Sequence, residues 1–358
     1  MTPRENLLKM YRREGYRHAP VTLSLCPALV AHYRRIARET PLHEYFDYPE
    51  GFAALDLRPL PVKDGAATDW TRFHPEGVKE GTVFDAFGIG YEPGGDAGDH
   101  FTRMRHPMER FDSLEQMQSY PWPEFETDDI GDTEQRARDI HADGRAAIGS
   151  MQMTIWETAW YIRSMEALML DMLAEDEKAV FLLDKITAYS AQRAAAYARA
   201  GADLLSLGDD VGTQRALMMS ETMYRTWLKP RLAEVIAAAK REKPDILVFY
   251  HTDGFVTPII DDLIETGVEI LNPVQPECMD FAEIHAAFGD RLSFCGTLGT
   301  QTTMPFGSPD DVRGVVRRNL EIARAKGGLL CCPTHMLEPE VPWENVEAYV
   351  NACKAFRP

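Results

Sequence analysis

The chain is short of positive charge. Its 38 Lys and Arg stand against 56 Asp and Glu, a net charge of -18. A nucleic-acid binder needs a basic face, and so does a protein docking on an anionic membrane; both partners are disfavoured. The acidity itself needs no more than solubility and self-repulsion to account for it. No apolar run is long enough to span a bilayer. The segment Met1-Thr2-Pro3-Arg4-Glu5-Asn6 is charged from the outset and has no signal-peptide core, so a cytoplasmic location is expected. Six cysteines (Cys26, Cys278, Cys295, Cys331, Cys332 and Cys353) are scattered without a CxxC pair. That pattern suggests reduced thiols, with neither a disulfide frame nor a thiolate zinc knuckle. The one glycine-rich candidate, Gly94-Gly95-Asp96-Ala97-Gly98, does not match GxGxxG and opens no helix, so a dinucleotide fingerprint is absent. Internal repeats and low-complexity segments are absent too.

What remains is ample for a large core: 358 residues, 45% hydrophobic. Residues Pro3 to Arg13 read as a short basic helix and Val21 to Leu25 as a strand. From Thr40 to about Pro123 the chain is irregular, rich in Gly, Pro and aromatics, as expected for long functional loops or a cap over a site. From about residue 131 amphipathic helices alternate with short apolar strands. The strands are expected over Ala146–Ser150, Asp203–Leu207, Ile246–Tyr250, Val268–Leu271, Leu292–Cys295 and Gly328–Cys332. Helices are expected over Ser164–Leu173, Glu177–Ala200, Ser220–Glu242, Pro258–Glu265, Phe281–Phe288, Pro309–Ala325 and Trp343–Lys354. This alternation predicts an α/β fold with a parallel sheet and helical crossovers. Seven strands, with an eighth to be found in the N-terminal region, favour a (β/α)8 TIM barrel over a doubly wound sheet. The expected organisation is one domain over 1–358. Residues 1–130 would hold the first helix, the first strand and long loops packed over the C-terminal face, and 131–358 the regular βα repeats.

A barrel places its working groups just after its strands. Leu207 is followed by Gly208-Asp209-Asp210, and Tyr250 by His251 and Asp253. Leu271 is followed by Asn272 and Gln275, Cys295 by Gly296-Thr297 and later Gln301, and Cys332 by Pro333-Thr334-His335. The strand from Ala146 leads to Glu157 and Tyr161. Singly each has a structural explanation: Asp209 or Asp210 as a helix cap, His251 as a satisfied core histidine, Asn272-Pro273 as a turn, His335 as a surface residue. Polar groups after five or more strands together point to a shared pocket. Two readings fit it. His251, Asp253 and His335 form a two-histidine, one-carboxylate site for zinc or another divalent metal. Alternatively, Asp209 or Asp210 is the acid or base, with His251 as partner. Met151, Met153, Met219, Met279 and Met336 either line an apolar cavity or fill the core.

Several segments resemble a known family. They are Thr2-Pro3-Arg4-Glu5-Asn6-Leu7-Leu8, Phe84-Asp85-Ala86-Phe87-Gly88, Tyr120-Pro121-Trp122-Pro123, Gly208-Asp209-Asp210-Val211-Gly212-Thr213-Gln214, His251-Thr252-Asp253-Gly254 and Val268-Glu269-Ile270-Leu271-Asn272-Pro273-Val274-Gln275. Gly327-Gly328, Pro333-Thr334-His335 and Pro342-Trp343-Glu344-Asn345-Val346 complete the set. Together they resemble the uroporphyrinogen decarboxylase superfamily, which also holds the corrinoid-dependent cobamide methyltransferases. The resemblance runs over nearly the whole chain and implies a (β/α)8 barrel with its cleft at the C-terminal face. True decarboxylases carry paired arginines that grip porphyrinogen carboxylates; Arg34-Arg35 lack the flanking Gly and Tyr, and the acidic chain offers few anchors for eight carboxylates. In the methyltransferase branch an H-x-C and a distant cysteine bind zinc. His251 falls on that histidine, Asp253 on the first cysteine and His335 on the distant one, with Cys331 and Cys332 out of register. Fewer thiolates make a stronger Lewis acid. The resemblance therefore implies a methyltransferase or demethylase moving a methyl group between a small methylated compound and a corrinoid, a corrinoid protein or tetrahydrofolate. His251, Asp253, Asp209 and Asp210 would do the chemistry, with Asp85, Glu157, Tyr161, Asn272, Gln275 and Gln301 around the substrate. A decarboxylase of a tetrapyrrole or smaller acid is the alternative, and a non-catalytic corrinoid-binding barrel a third. A homodimer is expected by analogy.

Overall fold

The computed structural model describes residues 1–55, 57, 68–94, 102–124, 130–324 and 327–358. In chain order the strands are β1 (Phe52–Leu55), β2 (Val83–Phe84), β3 (Gly90–Glu92), β4 (Arg103–Arg105), β5 (Ala146–Gln152), β6 (Leu204–Gly208), β7 (Leu247–His251), β8 (Ile270–Asn272), β9 (Ser293–Cys295) and β10 (Leu329–Leu330). β1 and β5 to β10 make one parallel sheet in the order β1-β5-β6-β7-β8-β9-β10, and β2 to β4 a small antiparallel one. All five residues of β6 are buried, because helices cover one face and the barrel interior the other. The fold is the (β/α)8 TIM barrel the alternation predicts. Residues 95–98 of the glycine-rich stretch lie outside the described residues. No helix is long and apolar enough to cross a membrane among the described residues.

Two expectations for the N-terminal region need correcting. Val21 to Leu25 is not a strand: only Leu25 bridges, in parallel, to Leu337. Cys26 N–H donates to Leu337 O at 3.0 Å, and Leu337 N–H to Ser24 O at 2.9 Å. This segment fills the eighth place in the wall, since Thr22 borders the same interior cavity as Phe52 and Leu330. The hidden strand is β1, four residues long. It pairs with β5 from Phe52 opposite Ala146 to Leu55 opposite Gly149.

The expected helix Ser220–Glu242 is broken. Its turn Tyr224–Leu228 winds as a π-helix before Lys229–Glu242 resumes. Pro230 has no N–H to donate to the preceding turn, and the chain widens there instead. Of the strand-end methionines, Met151, Met219 and Met279 are buried in the core, and Met153 is exposed.

The helix Pro3–Tyr11 does not sit over the mouth. Its start is fixed locally: Thr2 accepts from Glu5 N–H, Glu5 reaches back to Thr2 N–H, and Pro3 occupies the first position. It then plugs the opposite, N-terminal end of the barrel. Asp203, just before β6, accepts from Arg4 Nε at 2.9 Å, Arg4 Nη2 at 2.6 Å and Ala147 N–H at 3.0 Å, and lies 2.9 Å from His141 Nε2. Met10 O accepts from Gly328 N–H, and Arg13 donates to Ser293 Oγ.

Burial pushes the Asp203 carboxyl up, but the Arg4 hydrogen bond, the Ala147 N–H and the charges of Arg4 and His141 outweigh it and hold it below the usual value. A carboxyl depressed in the folded state contributes stability that is present above its unfolded value of about 3.9 and is lost as pH falls through the folded one. Asp203→Ala removes the charged hydrogen bonds to the part-exposed Arg4 guanidinium and leaves the Ala147 N–H without its side-chain partner, and should cost about 1.5–3 kcal/mol in urea unfolding. The carboxylate's share of the deficit should shrink as pH falls below about 4, where the unfolded carboxyl protonates.

Candidate functional site

β5 to β8 end at a common level. Gln152 pairs with Gly208, Gly208 with His251, and His251 with Asn272. Gly208 makes this level possible, because a Cβ there would lie 2.7 Å from His251 O and 2.8 Å from its Cβ. Above it the loops after β6 and β7 cross in contact. Phe255 N–H donates to Thr213 O at 2.8 Å, and Gly254, at φ +87°, has room for no side chain because a Cβ would meet Thr213 O at 2.6 Å.

The orientation of His251 is set from behind. Asn272 Nδ2 donates to Cys295 O at 2.9 Å, so its Oδ1 is the atom facing His251 Nδ1, at 2.6 Å. The amide oxygen can only accept, so Nδ1 carries the proton. In the neutral ring Nε2 then presents a lone pair to the mouth. It points at Asp210 Oδ1, 3.8 Å away, and Asp253 Oδ2, 3.9 Å away. One donor atom from each of Asp210, His251 and Asp253 lies within 4.8 Å of the others. Donors on a tetrahedral zinc at 2.0–2.2 Å stand roughly 3.3–3.6 Å apart, so a small inward movement would close the set on an ion. Asp253 N–H also donates to Asp210 Oδ1 at 2.8 Å, locking the two loops together.

Asp209 and Asp210, adjacent in sequence, do different things. The Asp209 carboxylate is buried and accepts from Ile155 N–H at 3.0 Å and Glu157 N–H at 2.9 Å. It caps the helix Trp156–Arg163 from across the barrel wall, the capping role open to it from sequence, with its side chain turned away from the mouth. That helix carries Glu157 and Tyr161 four residues apart. Tyr161 OH donates to Glu157 Oε1 at 2.9 Å, and Glu157 Oε2 accepts from Asp210 N–H at 3.2 Å. A chain of contacts thus runs from Tyr161 through Glu157 to Asp210 and His251.

The charge balance is lopsided. Glu157, Asp210 and Asp253 face one imidazole, with the Asp209 carboxyl buried behind them, and among the described residues no Lys or Arg pairs with any of the four. Burial, then the Asp210 charge, pushes the Glu157 carboxyl up. Burial pushes Asp209 well up, and Glu157 adds to it. Asp253 is raised by burial and by Asp210, against the opposing pull of His251 and His335. Each would be relieved by a cation placed among them.

The other sequence-chosen residues sort by distance. His335 is exposed on the loop after β10 and acts on the charge of Asp253, but it stands outside the close group, where Asp210 takes the third place. Gln275 is buried and accepts from Gly254 N–H at 3.2 Å, so it shapes the β7 loop. Asp85 folds its own turn, accepting from Phe87 and Ile89 N–H and from Tyr91 OH. Gln301 is exposed, and its backbone N–H donates to Glu277. No hydrogen bond or ion pair joins Asp85 or Gln301 to the cluster among the described residues. Sequence reasoning passed over Cys278. Its half-buried thiol contacts Gln214 Oε1 at 3.4 Å and is pushed up by burial, Glu277 and Asp253. Its position directly after Asn272-Pro273-Val274-Gln275-Pro276-Glu277 was the available signal.

Comparison with known proteins agrees with this architecture. A methyltransferase from Methanosarcina mazei has the same fold, with a TM-score of 0.67 over 99% of this chain and 98% of its own at 18% identity. Uroporphyrinogen decarboxylase of Chlorobium phaeovibrioides is 26% identical over 186 residues, 51% of this chain and 50% of the relative. The methylated-thiol–coenzyme M methyltransferase of Methanosarcina mazei is 26% identical over 220 residues, 59% of this chain and 54% of the relative. These alignments span about half the length of the curated relatives. The family model for uroporphyrinogen decarboxylase (URO-D) matches residues 2–356, so the chain belongs to the uroporphyrinogen decarboxylase family.

Proposed function

We propose that the protein is a methyltransferase or demethylase that passes a methyl group between a small methylated compound and a corrinoid, a corrinoid protein or tetrahydrofolate. The observation that carries this reading is the convergence of Asp210, His251 and Asp253 in a mouth where, among the described residues, no Lys or Arg pairs with them. Such a mouth suits a cation and repels an anionic substrate. The residues fit zinc or another borderline divalent ion: the lone pair of His251 Nε2 is freed by the Asn272 bond, and the two carboxylates have no other cationic partner among the described residues. His251, Asp210 and Asp253 would hold it, with His335 within reach of Asp253. A bound ion supplies Lewis acidity toward the heteroatom that bears the methyl group. Asn272 keeps His251 in its tautomer and orientation. Glu157, with its raised carboxyl and its bond to Tyr161, is placed to give up or take a proton beside the leaving atom. Asp209 positions Glu157 through the helix it caps.

The second reading is a decarboxylase acting on a tetrapyrrole or a smaller acid, and the similarity to the Chlorobium decarboxylases favours it. A polycarboxylate needs cationic anchors. Arg34 and Arg35 lie exposed on the helix Pro27–Ala37. Coproporphyrinogen formed on incubation with uroporphyrinogen would reverse the ranking. A corrinoid bound tightly with no turnover of any methyl donor would favour a binding protein.

Untagged protein should contain close to one divalent ion per chain by elemental analysis, and His251→Ala should lose it. Asn272→Ala keeps every proposed ligand but frees the ring, so metal affinity should fall about 10–100-fold. Full methyl transfer by metal-free protein would remove the ion from the scheme.

A carboxyl raised in the folded state costs stability at pH values above its unfolded pKa, because folding there disfavours the charge. Asp253→Asn should therefore stabilise chelator-treated protein at pH 7 by about 0.5–2 kcal/mol. The gain should fade as pH falls toward about 4, where the unfolded carboxyl protonates. With zinc added the order should reverse, because the variant has lost a ligand. Thermal unfolding with and without zinc reads both effects.

A further inference from the structure

The interior of a TIM barrel is normally filled by layers of branched side chains. Here it is not. Beneath the mouth lies a cavity of about 240 Å³. Leu7 and Tyr11, from the helix that plugs the barrel, form its floor. The cause is visible in the strands: inward positions of β1, β5 and β6 carry Ala54, Ser150 and Ser206, too small to meet across the barrel. Ala54, Ser150 and Gln152 point inward and are nevertheless exposed, so the chamber opens toward the mouth. Phe249 is in its wall, and His251 follows two residues later on the same face of β7. The chamber therefore ends one side-chain layer below the Asp210, His251 and Asp253 group.

Its chemistry is one-sided. Among the described residues no Asp, Glu, Lys, Arg or His lines it. An ion placed there would lose its hydration with nothing to replace it. Burial also pushes the Tyr11 phenol well up, so the floor is neutral. The chamber's polar lining is Tyr11, Thr22, Ser150, Gln152, Ser206 and Cys295. Ser150 and Ser206 are direct neighbours on β5 and β6. Neither hydroxyl makes a hydrogen bond to the protein among the described residues, so both are free for a ligand. A dry cavity of about 150 Å³ accepts benzene. The larger space here takes one ring with one or two small substituents.

We propose that this chamber seats the methyl donor and that the donor is a neutral, single-ring molecule with a methylated heteroatom, the ring within the barrel and the methyl-bearing end toward His251. Its role as donor rests on the methyl-transfer reading above; its preference for a neutral ring does not. For a methyl ether the O–CH3 bond breaks with its electron pair left on oxygen. The methyl carbon joins the nucleophilic atom of the acceptor, and the oxygen takes a proton to become a phenol.

The test uses the full chain with its metal, anisole as probe and benzoate as its anionic counterpart of similar size. Calorimetric titration should show anisole binding and benzoate at least about 100-fold weaker. Ala54→Leu fills the chamber from an inward position on β1 and should weaken anisole at least about 10-fold with zinc uptake unchanged, which certifies the fold. Ser206→Val should weaken it about 5-fold, as for one lost hydrogen bond. Equal affinity for benzoate, or anisole binding indifferent to Ala54→Leu, would overturn the proposal. Anisole binding that Ala54→Leu abolishes, with no methyl passed to cob(I)alamin, would leave the chamber standing and remove methyl transfer. Methyl transfer to cob(I)alamin that proceeds equally in wild type and Ala54→Leu, without anisole binding, would do the opposite.

Discussion

The arrangement at the barrel mouth depends on one side chain at the end of β8, Asn272. The Asn272 amide is held on one side by the carbonyl of Cys295 and on the other holds His251. Because the carbonyl can only accept, the amide cannot flip without losing both bonds. The proton on His251 is thereby assigned to Nδ1 by the backbone of β9, two strands away. Free the amide, and the imidazole could present either nitrogen, and the lone pair facing Asp210 and Asp253 would no longer be guaranteed. The parallel register puts His251 and Asn272 side by side, so the arrangement follows from the barrel itself.

Above that fixed point the site is organised by repulsion. Three carboxylates, Glu157, Asp210 and Asp253, share a small, partly dry volume with one imidazole, Asp209 is buried behind them, and Glu157, Asp209 and Asp253 are pushed above their usual range. Asp209 tolerates burial because backbone N–H groups of a helix start surround it. The others have fewer partners. Below, the interior reverses this pattern, with no ionisable acid or base among the described residues lining it apart from Tyr11 and Cys295. A molecule entering this barrel meets strong negative potential first and a neutral apolar space second. That order suits an uncharged substrate and a cation, and it suits a polycarboxylate poorly.

Much of this was legible in the sequence, and the failures have physical causes. β5 to β10 were readable because each is a compact apolar run closed by a polar group, the mark of a strand buried on both faces. β1 was not: Phe52-Ala53-Ala54-Leu55 is short and alanine-rich, and its pairing is decided by β5 alone. Val21 to Leu25 has the composition of a strand, but within it only Leu25 finds a ladder partner, Leu337 on the loop after β10. Asp210, His251 and Asp253 could be chosen from their places after strands. Which of the two adjacent aspartates faces the mouth could not, since that depends on where the helix Trp156–Arg163 docks. His335 was chosen by its offset from β10, and an offset along the chain fixes neither the reach nor the direction of a loop. Ser150 and Ser206 were readable as polar residues inside buried strands, although the void they leave needs all the strands at once to be seen.

The plug at the bottom of the barrel has a consequence for how the chain can fold. Arg4 meets Asp203, 199 residues later, and Arg13 meets Ser293, 280 residues later. Contacts of such separation close large loops and come slowly. As the polypeptide emerges from the ribosome, this short amphipathic helix can settle on β5 and the turn before it, but it cannot complete its contacts until β6, β9 and β10 have followed. The floor of the chamber is therefore laid after its walls, and until then the barrel is a tube open at both ends.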